Sequence, residues 1–236
     1  MKQVIALIFI LLITVNAQSQ LPTSAGVHEM VLPDSGRLYT LAIPDNYDET
    51  VPVPLILSLH YGGRVTPYFG RGLLEILIEP ALGDLGAIIV APDSATTGGW
   101  ANADSERHLM ELLDHIEANY NVDSTRTLVT GYSMGGAGTW YMAPRYPNRF
   151  AAALPMAGRP EPNLEAFAWE TPMYVIHSTA DELIALAPAK SAIEQLQAKG
   201  ISVELAIIDD ITHYQMALYR PHLRAAIPWI KSVWGE

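Results

Sequence analysis

The sequence predicts an α/β fold of about eight mostly parallel strands with helices on both faces of the sheet. Three observations carry this. Short apolar runs alternate along the chain with stretches of helical period, the order that builds strand–helix–strand units. The later runs are apolar throughout rather than alternating, as strands covered on both faces are. One run ends in a Gly-x-Ser-x-Gly turn that opens a helix.

The chain has 236 residues, half of them hydrophobic and 17% charged. That composition suits one well-packed domain and argues against disorder. The net charge of −11, with no basic stretch, disfavours nucleic acid as a partner.

Residues 1–19 read as a signal peptide ahead of a single domain over 20–236. Lys2 supplies the positive start, Val4 to Val15 the apolar run, and Ala17 or Ser19 the small residue before cleavage, with Ala17 preferred. The run is shorter than the roughly 20 residues that span a bilayer. The expectation is export, to the periplasm or beyond the cell, with no stable membrane insertion after cleavage. The chain has no cysteine, so disulfides and thiolate metal sites are excluded and the core alone must hold the fold.

The predicted strands, in order, are Val27–Val31, Leu38–Ile43, Pro54–Leu59, Ala87–Ala91, Thr127–Thr130, Ala151–Pro155, Met173–Ile176 and Val203–Ile208. The first two are flanked by polar residues and read as an antiparallel edge pair. Leu109, Leu112, Leu113, Ile116 and Tyr120 follow the 3.6-residue period, with Asn102 and Asp104 as candidate N-caps. Ala187 to Ala198 is a second amphipathic stretch, stopped by Gly200. Leu223 to Val233 is a third. Gly158 to Pro172, rich in proline and acidic residues, reads as a surface excursion and a candidate small cap over a site.

The chemistry centres on Gly131-Tyr132-Ser133-Met134-Gly135-Gly136, placed between a strand and a helix. Glycines two residues either side of a serine permit a tight turn that pushes its hydroxyl into the open. The turn also aims the first amides of the helix at the same space, where negative charge is favoured. A serine hydroxyl needs a base to take its proton, and in this arrangement the order is serine, carboxylate, histidine. Of the seven histidines only His177, His213 and His222 follow Ser133. His213 comes just after the last predicted strand, where sites of open α/β sheets form. His177 ends a strand and His222 falls in the closing helix, so both read as structural. Asp181, directly after the strand Met173–Ile176, is the preferred carboxylate, ahead of Glu182, Asp209 and Asp210. The backbone N–H of Met134 is one expected oxyanion donor. The second is expected from the loop His60-Tyr61-Gly62-Gly63, from either Tyr61 or Gly62.

Pro54 to Gly63, Gly131 to Gly136, His177 to Asp181 and then His213 together resemble the α/β-hydrolase superfamily. Within it, the resemblance is to the small secreted esterases: phospholipase/carboxylesterases, dienelactone-hydrolase-like and polyhydroxybutyrate-depolymerase-like proteins, and feruloyl esterases. Ser35 to Asp48 is similar to their first hairpin, and the resemblance runs from about Val27 to the end. It implies hydrolysis of a small-molecule or polymer-linked carboxylic ester through an acyl-enzyme, with no cofactor. No metal-binding histidine pattern occurs. One departure is Tyr61, where the family usually has glycine; its side chain is expected beside the acyl site. Trp100 is expected to line the alcohol side and Tyr214 to sit next to the base. Two other readings are a serine peptidase of prolyl-oligopeptidase type, whose usual large β-propeller has no room here, and a non-catalytic binding protein that kept the fold.

Overall fold

The computed structural model describes residues 21–95 and 99–236. The expected signal peptide, residues 1–19, lies outside the described residues. Among the described residues no helix is long and apolar enough to cross a membrane.

One eight-stranded sheet organises the molecule. Its strands are β1 (Gly26–Val31), β2 (Leu38–Ile43), β3 (Val53–Leu59), β4 (Ile88–Pro92), β5 (Val122–Tyr132), β6 (Ala152–Met156), β7 (Met173–Ser178) and β8 (Val203–Ile208). The spatial order is β1-β2-β4-β3-β5-β6-β7-β8. β2 is antiparallel to both its neighbours, and every later pairing is parallel. All eight predicted strands are present. β5 extends further back than its apolar part, through Asp123, Ser124, Thr125 and Arg126.

The period of two along each strand divides the core. Leu55, Leu57 and Leu59 face one apolar cluster and Ile56 the other; Val129 and Leu128 divide in the same way. The first cluster is closed by α3 (Ala103–Asn119), α4 (Met134–Arg145) and α5 (Leu186–Ala198). The second is closed by α1 (Gly70–Leu73), α2 (Glu79–Leu82), α6 (Arg220–Arg224) and α7 (Ile227–Val233). Asn102 caps α3, its side chain accepting the Ser105 N–H at 3.0 Å, so it is this residue rather than Asp104 that starts the helix.

Three segments differ from the sequence reading. Leu223 to Val233 is two short helices rather than one, because Pro228 enters the first turn of α7 and cannot continue a helix from Arg224. Residues 70–85 form a helical connection, with a π-helical turn at Leu74–Ile78 between α1 and α2, which the sequence reading left unassigned. Gly158 to Pro172 is about half exposed and is anchored to the core: Leu164, Trp169 and Thr171 are buried. The Trp169 ring meets Trp140 of α4 edge-to-face at 6.0 Å, and Arg145 pairs with Glu161 at 2.8 Å.

Candidate active site

The parallel strands bring their C-terminal ends to one edge of the sheet, and the predicted site residues gather there. Ser133 follows β5, Asp181 follows β7, His213 follows β8, and the His60–Gly63 loop follows β3.

Ser133 has φ 55° and ψ −112°, a strained conformation for a residue with a side chain. The two motif glycines show what enforces it. A Cβ on Gly131 would stand 2.5 Å from the Gly135 carbonyl, and one on Gly135 would stand 1.7 Å from the Leu59 carbonyl oxygen. The elbow is pinned by the Ser133 N–H, which donates to the Met156 carbonyl at 2.9 Å. Met134 opens α4, so its N–H belongs to the first turn that a helix leaves without internal partners.

Three side chains form a continuous chain. His213 Nε2 lies 2.8 Å from Ser133 Oγ, and His213 Nδ1 lies 2.8 Å from Asp181 Oδ2. Asp181 Oδ1 accepts the Leu183 and Ile184 N–H groups at 3.0 and 2.7 Å. The carboxylate is therefore held from its own loop while its other oxygen meets the imidazole. His213 and Asp181 are buried, and Ser133 is half-buried. Of the other carboxylates near this site, Glu182 reaches the His213 backbone rather than its ring, and Asp209 accepts the Thr179 hydroxyl.

His177 is buried behind Asp181, 3.6 Å from Oδ2. Its Nε2–H donates to the Ile184 carbonyl at 2.8 Å, and burial pulls its pKa down. It braces the acid's loop. His222 lies in α6.

The His60–Gly63 loop leans against the elbow: a Cβ on Gly62 would make ordinary contact with Met134 Cβ at 3.7 Å. Several groups hold this loop. His60 Nδ1–H donates to the Tyr61 carbonyl at 2.7 Å, and its Nε2 accepts the Ser94 N–H at 3.0 Å. Burial keeps this imidazole neutral, its pKa lowered to about 4. The Asp93 carboxylate accepts the N–H groups of Tyr68 and Gly70 at 2.7 and 3.0 Å. Burial raises the Asp93 pKa, against the pull of those donors. Sequence reading missed Asp93 and Ser94; the signal available was their position directly after an apolar strand.

The three aromatic residues singled out from sequence fall in different settings. Trp100 is only 1% exposed, and its indole N–H donates to the His60 carbonyl at 2.9 Å. The ring is thus almost wholly covered, and it supports the loop. Tyr61 is half-buried, edge-to-face with Phe69 at 5.3 Å, with its hydroxyl close over Gly72. Tyr214 is 78% exposed, its ring 6.0 Å from that of His213.

Known proteins resemble this chain in sequence and in fold. The chain is 32% identical over 150 residues to "Probable feruloyl esterase C" of Aspergillus niger, an alignment covering 58% of this chain and 51% of that protein. It is 31% identical over 136 residues to "Feruloyl esterase C" of Emericella nidulans, covering 52% and 47%. The chain thus spans about half the length of the curated relatives it matches. A solved thermostable esterase superposes with a TM-score of 0.73 at 20% identity, over 87% of this chain and 62% of the other; that likeness shows the α/β-hydrolase fold. The Esterase family model matches residues 84–205, just over half the chain and a stretch that includes both Ser133 and Asp181. The chain belongs to this esterase family.

Proposed function

We propose that this protein is an exported serine esterase that hydrolyses carboxylic esters through Ser133, His213 and Asp181. The observation that carries the reading is the unbroken run of 2.8 Å contacts from Ser133 Oγ through the imidazole to Asp181. In the resting site the His213 Nδ1–H donates to Asp181, which leaves the Nε2 lone pair facing the serine hydroxyl. His213 takes the Oγ proton as Oγ attacks the ester carbonyl. The negative oxygen is met by the Met134 N–H and by an amide of Tyr61 or Gly62. The C–O bond to the alcohol then breaks, and the Nε2 proton leaves with it. A water, deprotonated by His213, cleaves the acyl-enzyme and restores Ser133. No step calls for a cofactor.

The relatives named as feruloyl esterases make hydroxycinnamoyl esters the first substrates to try, whether small or polymer-linked. Tyr214, exposed beside the base, is the candidate contact for the alcohol portion, and Tyr61 for the acyl portion. Export rests on Lys2 and the Val4–Val15 run, and N-terminal sequencing of the secreted protein checks it.

The purified protein is expected to react with a fluorophosphonate probe and to turn over p-nitrophenyl butyrate or methyl ferulate. Both activities should vanish in Ser133→Ala. Neither labelling nor ester turnover in the wild type would sink the reading, and cleavage of peptide amides but not esters would replace it with a peptidase.

A further inference from the structure

His213 sits in a loop without regular structure, between the end of β8 and a single 3-10 turn at Met216–Tyr219. Its ring can serve Ser133 and Asp181 only if its backbone is fixed, and no strand or helix fixes it. Two groups from elsewhere in the chain do, one at the end of β5 and one in the loop after β7. Glu182 Oε2 accepts the His213 N–H at 2.9 Å. The Tyr132 hydroxyl donates to the His213 carbonyl at 2.8 Å from a buried position. Tyr132 directly precedes Ser133, and Glu182 directly follows Asp181. The residues next to Ser133 and Asp181 thus hold the main chain of His213 at its carbonyl and at its N–H.

We propose that Glu182 is a positioning residue for this reaction, holding the His213 N–H while Tyr132 holds its carbonyl, so that the imidazole stays aligned between Asp181 and Ser133. The inference rests on the serine-esterase reading above. The clamp divides labour between two adjacent carboxylates. Asp181 is buried and meets the ring, whereas Glu182 is exposed and meets the backbone. Solvent screens the charge of an exposed carboxylate, so the acceptor oxygen, rather than the charge, carries the effect. A side chain that keeps an oxygen at that place should therefore substitute for Glu182, and one that removes it should not.

The test compares wild type, Glu182→Ala, Glu182→Gln and Tyr132→Phe. It reads steady-state hydrolysis of p-nitrophenyl butyrate, the rate of fluorophosphonate labelling, the thermal midpoint, and the far-downfield proton resonance of His213 Nδ1. Glu182→Ala is expected to lower kcat and the labelling rate together by about tenfold, the upper end of what one ordinary hydrogen bond contributes. KM should change by less than about twofold, since uniform substrate binding is untouched. The resonance should weaken while the thermal midpoint holds. Glu182→Gln, whose amide oxygen still accepts, should stay within about threefold of wild type and keep the resonance. Tyr132→Phe removes the opposite grip, should show the same signature as Glu182→Ala, and covers the case in which the alanine variant does not fold. Wild-type kcat in Glu182→Ala overturns the clamp, and so does a glutamine variant as impaired as the alanine one. If wild type itself neither labels nor turns over ester, the esterase reading falls. The clamp is then judged on the resonance alone: it stands if the signal is lost in alanine and kept in glutamine, and falls otherwise.

Discussion

At the residue scale, Asp181 does two things with two oxygens. One meets His213 Nδ1, and the other is held by the Leu183 and Ile184 amides. Asp181→Asn keeps the shape and an acceptor but can present an N–H to His213 Nδ1, which favours the wrong tautomer. The expected outcome is a fall in kcat of about 10³–10⁴-fold with little loss of stability, measured by steady-state kinetics beside thermal melting. That Ser133, His213 and Asp181 would meet is legible in the sequence, because each lies within a few residues of the end of a recognisable strand and their order is constrained. The aromatic residues are less so. Nothing in the sequence says that Trp100 turns inward to the His60 carbonyl while Tyr214 turns out to solvent. That difference is set by tertiary packing, not by local pattern.

At the scale of elements, the elbow depends on a close approach of backbones. Ala at Gly135 would drive its Cβ into the Leu59 carbonyl, whereas Ala at Gly200 meets open space and suffers only from φ +81°. Gly135→Ala should therefore cost about 3 kcal/mol or more and abolish ester turnover. Gly200→Ala should cost about 1 kcal/mol and leave turnover intact. Denaturant titration of both variants checks the contrast. The strands were readable for a related reason: a strand buried on both faces must be apolar along its length. The α1–α2 segment was harder. Its buried residues come as pairs at Leu73–Leu74, Leu77–Ile78 and Ala81–Leu82. Repeats at steps of four drift from an ideal helix of 3.6 residues per turn, and the π-helical turn absorbs the drift. With Gly70, Gly72 and Pro80 inside it, the segment carries breaker signals that tertiary packing overrides.

At the scale of the whole molecule, buried imidazoles tie stability to pH. Burial lowers His60 and His108 from 6.5 to about 4. Between those values the unfolded chain binds protons that the folded protein does not, so folding stability rises with pH across that window. It is complete above about pH 6.5 and is lost as pH falls toward 4, by an amount on the order of 3 kcal/mol for each histidine. Thermal midpoints measured from pH 7.5 to 4.5 should fall steadily in that direction. A midpoint that is flat down to pH 4.5 would contradict the assignment of neutral, buried rings.

The strand order has a consequence for how the protein loses activity. The proposed nucleophile Ser133 issues from β5, with β3 on one side and β6 on the other, while the proposed base His213 follows β8, which has a single neighbour among the described residues. Border strands open locally at lower free energy than central ones. Warming should therefore detach the base before it disturbs the nucleophile. Amides of β8 should exchange with deuterated solvent sooner than those of β5, and turnover should fade reversibly below the temperature at which the fold melts. Sensitivity to heat would then belong to one margin of the sheet, and bracing that margin would extend the working range without touching the serine.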